Sequence, residues 1–319
     1  MAHCVESMAF TGATPWHGLG NQLTENQPIE VWAKQAGMDW AIKETPVRFM
    51  SDGNNEQSAI LTYPERKVLF RSDTQEPLSV VSQRYQVVQP MEILEFYRDL
   101  TEVSGFQLQT AGVLKGGRKV WALAKTGQST LLKGNDLTEG YVLLATACDG
   151  TLATTAQLTS VRVVCHNTLA VALDDGDGAV RVPHSTQFNA DAVKKELGIS
   201  VAKWDSFMYR MKHLSERNIT HKEAEDFFLN LFSTRTKDGE LITTAQPMKK
   251  ALALYDGHGR GAEMNSAKGT ALGLLNSITE FVDHERRAHS RDHRLDSAWF
   301  GQGAALKQKA LEQTTLMIA

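Results

Sequence analysis

Residues 106–125 read FQLQTAGVLKGGRKVWALAK. Apolar side chains alternate on both sides of Lys115-Gly116-Gly117-Arg118, and period two is the spacing of a strand with one buried face. The glycine pair supplies the positive φ angles that a tight connection needs. The stretch is therefore an antiparallel β-hairpin. A second hairpin follows, with GYVLLATAC (140–148) and TLATTAQLTSVRVV (151–164) either side of Asp149-Gly150.

Working upstream, residues 90–103 are predicted helical. Pro90 suits a first turn, and Ile93, Leu94, Phe96, Tyr97 and Leu100 recur at helical spacing. Before that lie an N-terminal arm (1–30), a short helix (29–37), and strands at 40–50, 58–64, 67–73 and 77–90. Turns are expected at 51–55 and at Pro64-Glu65-Arg66. Downstream, HNTLAVAL (166–173) reads as a helix capped by Asn167. Asp174–Gly178 (DDGDG) reads as a linker.

Residues 189–232 are predicted helical. Apolar side chains at 201, 204, 207, 208, 211 and 214 form one stripe, and Thr220-x-x-Glu223 is a capping box. Two further helices are expected at 269–284 and 303–317. The fold class is thus α+β: antiparallel hairpins with a β-β-β-α-like core over 1–178, then an α-helical region over 179–319 packing on it.

The chain has 319 residues, which suits two domains. Hydrophobic residues make up 42% and charged residues 22%, so a core is available and global disorder is excluded. Net charge is −3, which excludes a broadly basic nucleic-acid coat. The charge is uneven: residues 1–183 carry 15 basic and 20 acidic side chains, the remainder 19 and 17. Three cysteines (Cys4, Cys148, Cys165) are too few for a disulfide framework or a four-thiolate zinc site. With no secretory leader and no apolar run near ~20 residues, a soluble protein of a reducing cytoplasm is expected.

Few motifs point to chemistry. Tyr255–Ala262 is glycine-rich and precedes a helix, but no strand leads into it and Lys268-Gly269-Thr270 is not a Walker A order. Arg260 there offers a phosphate contact. His284, His289 and His293 sit among Arg286, Arg287, Arg291 and Arg294, whose charges repel a metal ion. Cys165-His166-Asn167 has the residue types of a thiol protease, but such triads are assembled from distant positions. No paired carboxylates or nucleophile elbow occur. No catalytic residue, metal or cofactor is expected, and the chain is read as a non-enzyme. Lys115, Arg118 and Lys119 at the first hairpin tip, Lys133 between the hairpins and Arg162 at the end of the second are candidate phosphate contacts. Trp121 alternates with Val120 and Ala122 and is assigned to the core.

Several stretches resemble the phage/plasmid-like proteins of unknown function found on prophages, phages and plasmids. They are Trp16-His17-Gly18-Leu19-Gly20, Tyr85–Pro90 and Arg162–Leu169, then Gly269–His284 and Trp299–Ala304. The set spans nearly the whole chain. Its hairpin–hairpin–helix order is also similar to the core of phage single-strand annealing proteins, which form rings or helices around single-stranded DNA. These resemblances imply an oligomeric single-stranded DNA-binding or annealing protein of a phage or plasmid, acting in recombination or replication in a bacterial host cell. Lys115, Arg118, Lys119, Lys133, Arg162, Arg260, Arg286, Arg287 and Arg291 are its expected phosphate contacts. The rival expectation is a host-directed or anti-defence factor that binds protein.

Overall fold

A computed structural model describes residues 5–12, 20–51, 59–171, 179–202, 204–235, 241–288 and 291–318. The fold is α+β, strand-rich at the start and helical in its second half. The Trp16–Gly20 motif lies largely outside the described residues, and so do Cys4 and the expected linker.

In chain order the strands and helices begin with β1 (Val5–Thr11), β2 (Asn21–Leu23), α1 (Ile29–Gln35), β3 (Ile42–Ser51), β4 (Ala59–Arg71), β5 (Pro77–Ser82) and α2 (Pro90–Ser104). Then come β6 (Gln107–Leu114), β7 (Lys119–Leu132), β8 (Asp136–Ala147), β9 (Thr154–Arg162), β10 (Asn167–Ala170) and β11 (Ala179–Val182). The remainder is α3 (Ala190–Ala202), α4 (Trp204–Glu216), α5 (His221–Phe232), β12 (Ser233–Arg235), β13 (Leu241–Thr243), α6 (Ala245–Ala253), α7 (Ala271–Glu280), α8 (Arg291–Phe300) and α9 (Gln302–Leu316).

Two compact units interleave along the sequence: residues 1–126, 142–157 and 180–197 form one, and 127–141, 158–179 and 198–319 the other. Strands β7, β8 and β9 contribute residues to both. The main strand order is β10-β9-β8-β7-β6-β1-β2, with β11 beside β9; β3-β4-β5 and β12-β13 are separate sheets.

In the first unit the predicted 106–125 hairpin is present, with a 3₁₀ turn at Lys115–Gly117. Gly117 has φ 94°, and a Cβ there would meet the Trp40 ring at 3.0 Å, so the turn demands glycine. Helix α2 starts with a reciprocal cap between Gln89 and Glu92 and buries Ile93, Leu94, Phe96 and Tyr97. The Tyr97 hydroxyl donates to the carbonyls of Ala122 (2.9 Å) and Val142 (3.0 Å), which fixes the helix on the sheet. Trp121 is buried, and so are Val120 and Ala122 beside it, so this part of β7 is covered on both faces.

Three local readings are corrected. Pro64-Glu65-Arg66 is not a turn. It is a bulge inside one long strand, β4, opposite the junction of Pro46 and Val47. A proline lacks the N–H that the ladder needs, so it interrupts pairing without reversing the chain. Strand β5 ends at Ser82 rather than at 90. Residues 167–170 are a strand, not a helix: a tight turn with His166 at φ 55° returns the chain, and β10 pairs antiparallel with β9. Asn167 accordingly caps no helix.

The second unit has its core on α4, α5, α7 and α9. Trp204, Phe207, Met208, Met211 and Leu214 are the buried stripe of α4, as the spacing predicts. Thr220 and Glu223 make the expected capping box of α5. Helix α7 is buried almost throughout and packs on α4 and α9. No helix among the described residues is long and apolar enough to cross a membrane.

Candidate functional site

The Arg162–Leu169 motif and the end of the Gly269–His284 motif meet inside the second unit. Arg162 ends β9 and Asp136 opens β8, and both are buried. The guanidinium forks onto the carboxylate, Nε to Oδ1 at 2.8 Å and Nη2 to Oδ2 at 2.8 Å. Its outer nitrogen also donates to Gly261 O at 3.0 Å. The glycine-rich loop is thus held by the sheet. Its own amide is used internally too: Arg260 N–H donates to both oxygens of Glu280, at 2.9 and 3.1 Å. Burial raises the Glu280 carboxyl above its ordinary value, opposed by that N–H. The backbone of this loop therefore binds the protein's own carboxylate.

Next to it, Thr168 of β10 docks between Asp283 and Lys307. Its N–H donates to Asp283 Oδ2 at 2.7 Å, and Lys307 Nζ reaches Thr168 O at 2.7 Å and Asp283 Oδ1 at 2.8 Å. His284 Nε2 lies 3.0 Å from Cys165 O and 3.1 Å from Asn167 Oδ1. Both partners accept, so Nε2 carries the proton. Burial lowers the His284 pKa below its ordinary 6.5.

Cys165 is buried, and burial pushes its thiol up to about 11, so it is a protonated thiol rather than a thiolate. The cavity among Asp136, Arg162 and Asn167 is about 30 Å³, far below the size of a substrate pocket. His293 is exposed on α8, and His289 lies outside the described residues. Among the described residues no group of three or more His, Cys, Asp or Glu side chains is placed to hold a metal ion.

A different surface of the same unit is open and cationic. The end of α5, helix α6, the π turn after α7 (Phe281–Glu285) and the start of α9 enclose a groove of about 1240 Å³. Leu231, Phe232, Phe281 and Leu306 lie along it, with Lys249, Lys250, Arg286, Arg287 and Lys309. Glu285 is the acidic side chain of the lining, and Lys250 neutralises it at 2.6 Å. That contact holds the Glu285 pKa below its ordinary value. Lys309 points its ammonium at the Asn230 and Leu231 carbonyls at the end of α5. Arg286 gives Nη2 to Gln302 Oε1 at 3.0 Å, while its Nη1 is shielded and has no hydrogen-bond partner. Arg287 and Lys249 are exposed. The two phenylalanines stack edge-to-face on one another at 5.7 Å and are buried, so the groove offers cations and a closed apolar floor rather than free stacking rings.

The candidate contacts are thus distributed unevenly. Arg286 and Arg287 line the groove. Lys133 is exposed on the β7–β8 turn, and the Arg260 side chain is exposed on its loop. Arg291 starts α8, and its side chain lies outside the described residues. Arg162 is consumed by Asp136. Lys115 and Arg118 sit on the hairpin tip of the other unit, and Lys119 is buried there. Lys249, Lys250 and Lys309 had no sequence motif to mark them, because α6 and α9 lie far apart in the chain.

A family model described as a domain of unknown function (DUF932) matches residues 77–299. That span runs from β5 into α8 and includes Arg162, Asp283, His284, Arg286 and Arg287. No curated protein and no solved structure matches the chain.

Proposed function

The chain belongs to the DUF932 family, whose description carries no activity, and from its own surface we propose that it binds single-stranded DNA as a homo-oligomer, through the groove between α5, α6 and α9. The observation behind this reading is the groove's charge. Five cationic side chains share it with one carboxylate, which is already paired, in a chain whose net charge is −3. A local concentration of cations in an acidic protein favours a polyanion at that place.

The groove supplies several cations and no exposed rings, so the proposed binding is to the backbone and tolerant of sequence. A flexible single strand follows a concave surface more readily than a stiff duplex does, which favours the single strand as the ligand. Lys133 and the Arg260 side chain are further exposed cations of the same unit, while Arg162 and Lys119 are buried and act in folding. The motif resemblance to phage- and plasmid-encoded proteins supports a phage or plasmid setting in the bacterial cytoplasm. A role in recombination or replication rests on the single-strand binding proposed for the groove, since the third element of the hairpin–hairpin–helix order, residues 167–170, is a strand.

The direct test is fluorescence anisotropy with a labelled single-stranded oligonucleotide at ~50 mM salt, with and without its complement. Saturable binding supports the reading. No binding there, with a host protein captured instead at fixed stoichiometry, favours a protein-interaction factor.

A further inference from the structure

The outer half of the β3–β4 ribbon leaves both of its faces in solvent. Directly paired residues of an antiparallel ribbon share a face. One face therefore carries Val47 with Tyr63 and Phe49 with Leu61; the other carries Arg48 with Thr62 and Met50 with Ile60. Met50 and Ile60 are 70% and 68% exposed, and Phe49, Leu61 and Tyr63 are exposed by 42–47%. Strand β5 accompanies β4 only from Arg66 to Phe70, so no described strand pairs with the outer part. Each face holds on the order of 250 Å² of apolar side chain in water, near the few hundred Å² at which a contiguous patch marks an interaction site.

The edges of the ribbon are less inviting than its faces. Pro46 and Pro64 flank the bulge, and a proline cannot donate to an added strand. The contact is thus between faces. Arg48 is the only charged side chain from 47–51 and 59–63, so a polar or charged partner finds almost nothing to pair with. The surface that matches each face in chemistry is the opposite face of the same ribbon.

We propose that this ribbon is the self-association element: the Phe49–Leu61–Tyr63 face of one copy stacks on the Met50–Ile60 face of the next. One face alone offers roughly a third of the ≈800 Å² per partner of a stable pairwise interface. A symmetric dimer would bury one face and leave the other bare. Stacking head to tail covers both, and such contacts build rings or helical filaments. The individual contact is weak, so assembly depends on concentration. The inference rests on the homo-oligomer of the proposed function, and it is tested without nucleic acid, so its failure and that of DNA binding are distinguishable.

The experiment measures mass by light scattering from roughly 1 to 100 µM, where mass action separates weak assembly from none. The full chain is predicted to exceed two copies at the upper end. Phe49→Lys with Leu61→Lys blocks one face, and Met50→Lys with Ile60→Lys blocks the other. Each double variant alone is predicted to be monomeric. Mixed, they have one good contact between them and stop at a dimer. All four side chains are solvent-exposed, and circular dichroism verifies that the fold is kept. Hydrogen exchange of the unmodified chain gives a second reading, with the β3–β4 amides slowing as concentration rises. A wild-type mass that stays at one copy, or assembly that both double variants retain, overturns the proposal.

Discussion

Arg162 and Asp136 hold one another in a forked ion pair whose side chains are 7% and 0% exposed. Neither charge reaches water, so each depends on the other for its solvation. The pair also anchors the glycine-rich loop through Gly261, which makes it a structural joint between sheet and loop.

Breaking that joint from one side leaves a buried charge alone. Asp136→Asn is expected to cost roughly 3–5 kcal/mol, read as a fall in the urea midpoint. Removing both charges with Asp136→Leu and Arg162→Met is expected to recover much of the loss. If Asp136→Asn unfolds at the wild-type midpoint, the pair is not the joint described.

Lys307 and Asp283 form a second buried pair, at 2.8 Å, across Thr168. A double-mutant cycle with Lys307→Met and Asp283→Asn is expected to show a coupling of about 0.5–3 kcal/mol, since the two share one network. Additive effects would mean that Thr168 is held by other contacts.

His284 sets an acid-side pH dependence. Its native pKa lies below the ordinary 6.5 because of burial, so the unfolded chain takes up the proton first. Its stabilising contribution is complete above pH 6.5 and is lost as pH falls toward the depressed native value. Glu280 acts in the opposite sense: its raised pKa makes its contribution complete below the ordinary 4.5 and lost as pH rises through the native value. Thermal melts from pH 7.5 to 5 are expected to fall more steeply for the wild type than for His284→Gln. Parallel curves would contradict this assignment.

The two buried thiols are predicted to be inert. Burial raises Cys148 to about 12 and Cys165 to about 11. With Cys4 replaced by serine, the native protein is expected to give no reaction with a disulfide reagent at pH 8, and two equivalents after denaturation. Rapid native reaction would reopen a chemical role for Cys165.

The hairpin at 106–125 was legible because alternation and a Gly-Gly turn agree with each other. The start of α5 was legible because Thr220 and Glu223 form a local cap. The segment 166–173 was not: NTLAV is too short to separate period two from period 3.6, and its strand character comes from pairing with β9. The role of Arg162 needed its cross-strand neighbour. Asp136 comes within reach of Arg162 only once β8 and β9 pair, where the two share a face without being directly opposite. The groove was only half visible. Arg286 and Arg287 stood out as a cluster, but Lys249, Lys250 and Lys309 join them only after α6 and α9 fold around α5.

The central claim is that the groove holds a DNA backbone, and salt dependence in anisotropy tests it most directly. Each phosphate contact to a single strand adds about −0.7 to the slope of log K against log salt. The wild type is predicted to bind a single-stranded oligonucleotide with a slope of about −2 or steeper. Lys249→Glu with Arg287→Glu, both exposed in the groove, is predicted to weaken binding at least tenfold and flatten the slope by more than one, with the melting temperature unchanged. Binding that is absent in the wild type, or unchanged in affinity and slope in the variant, would contradict the account.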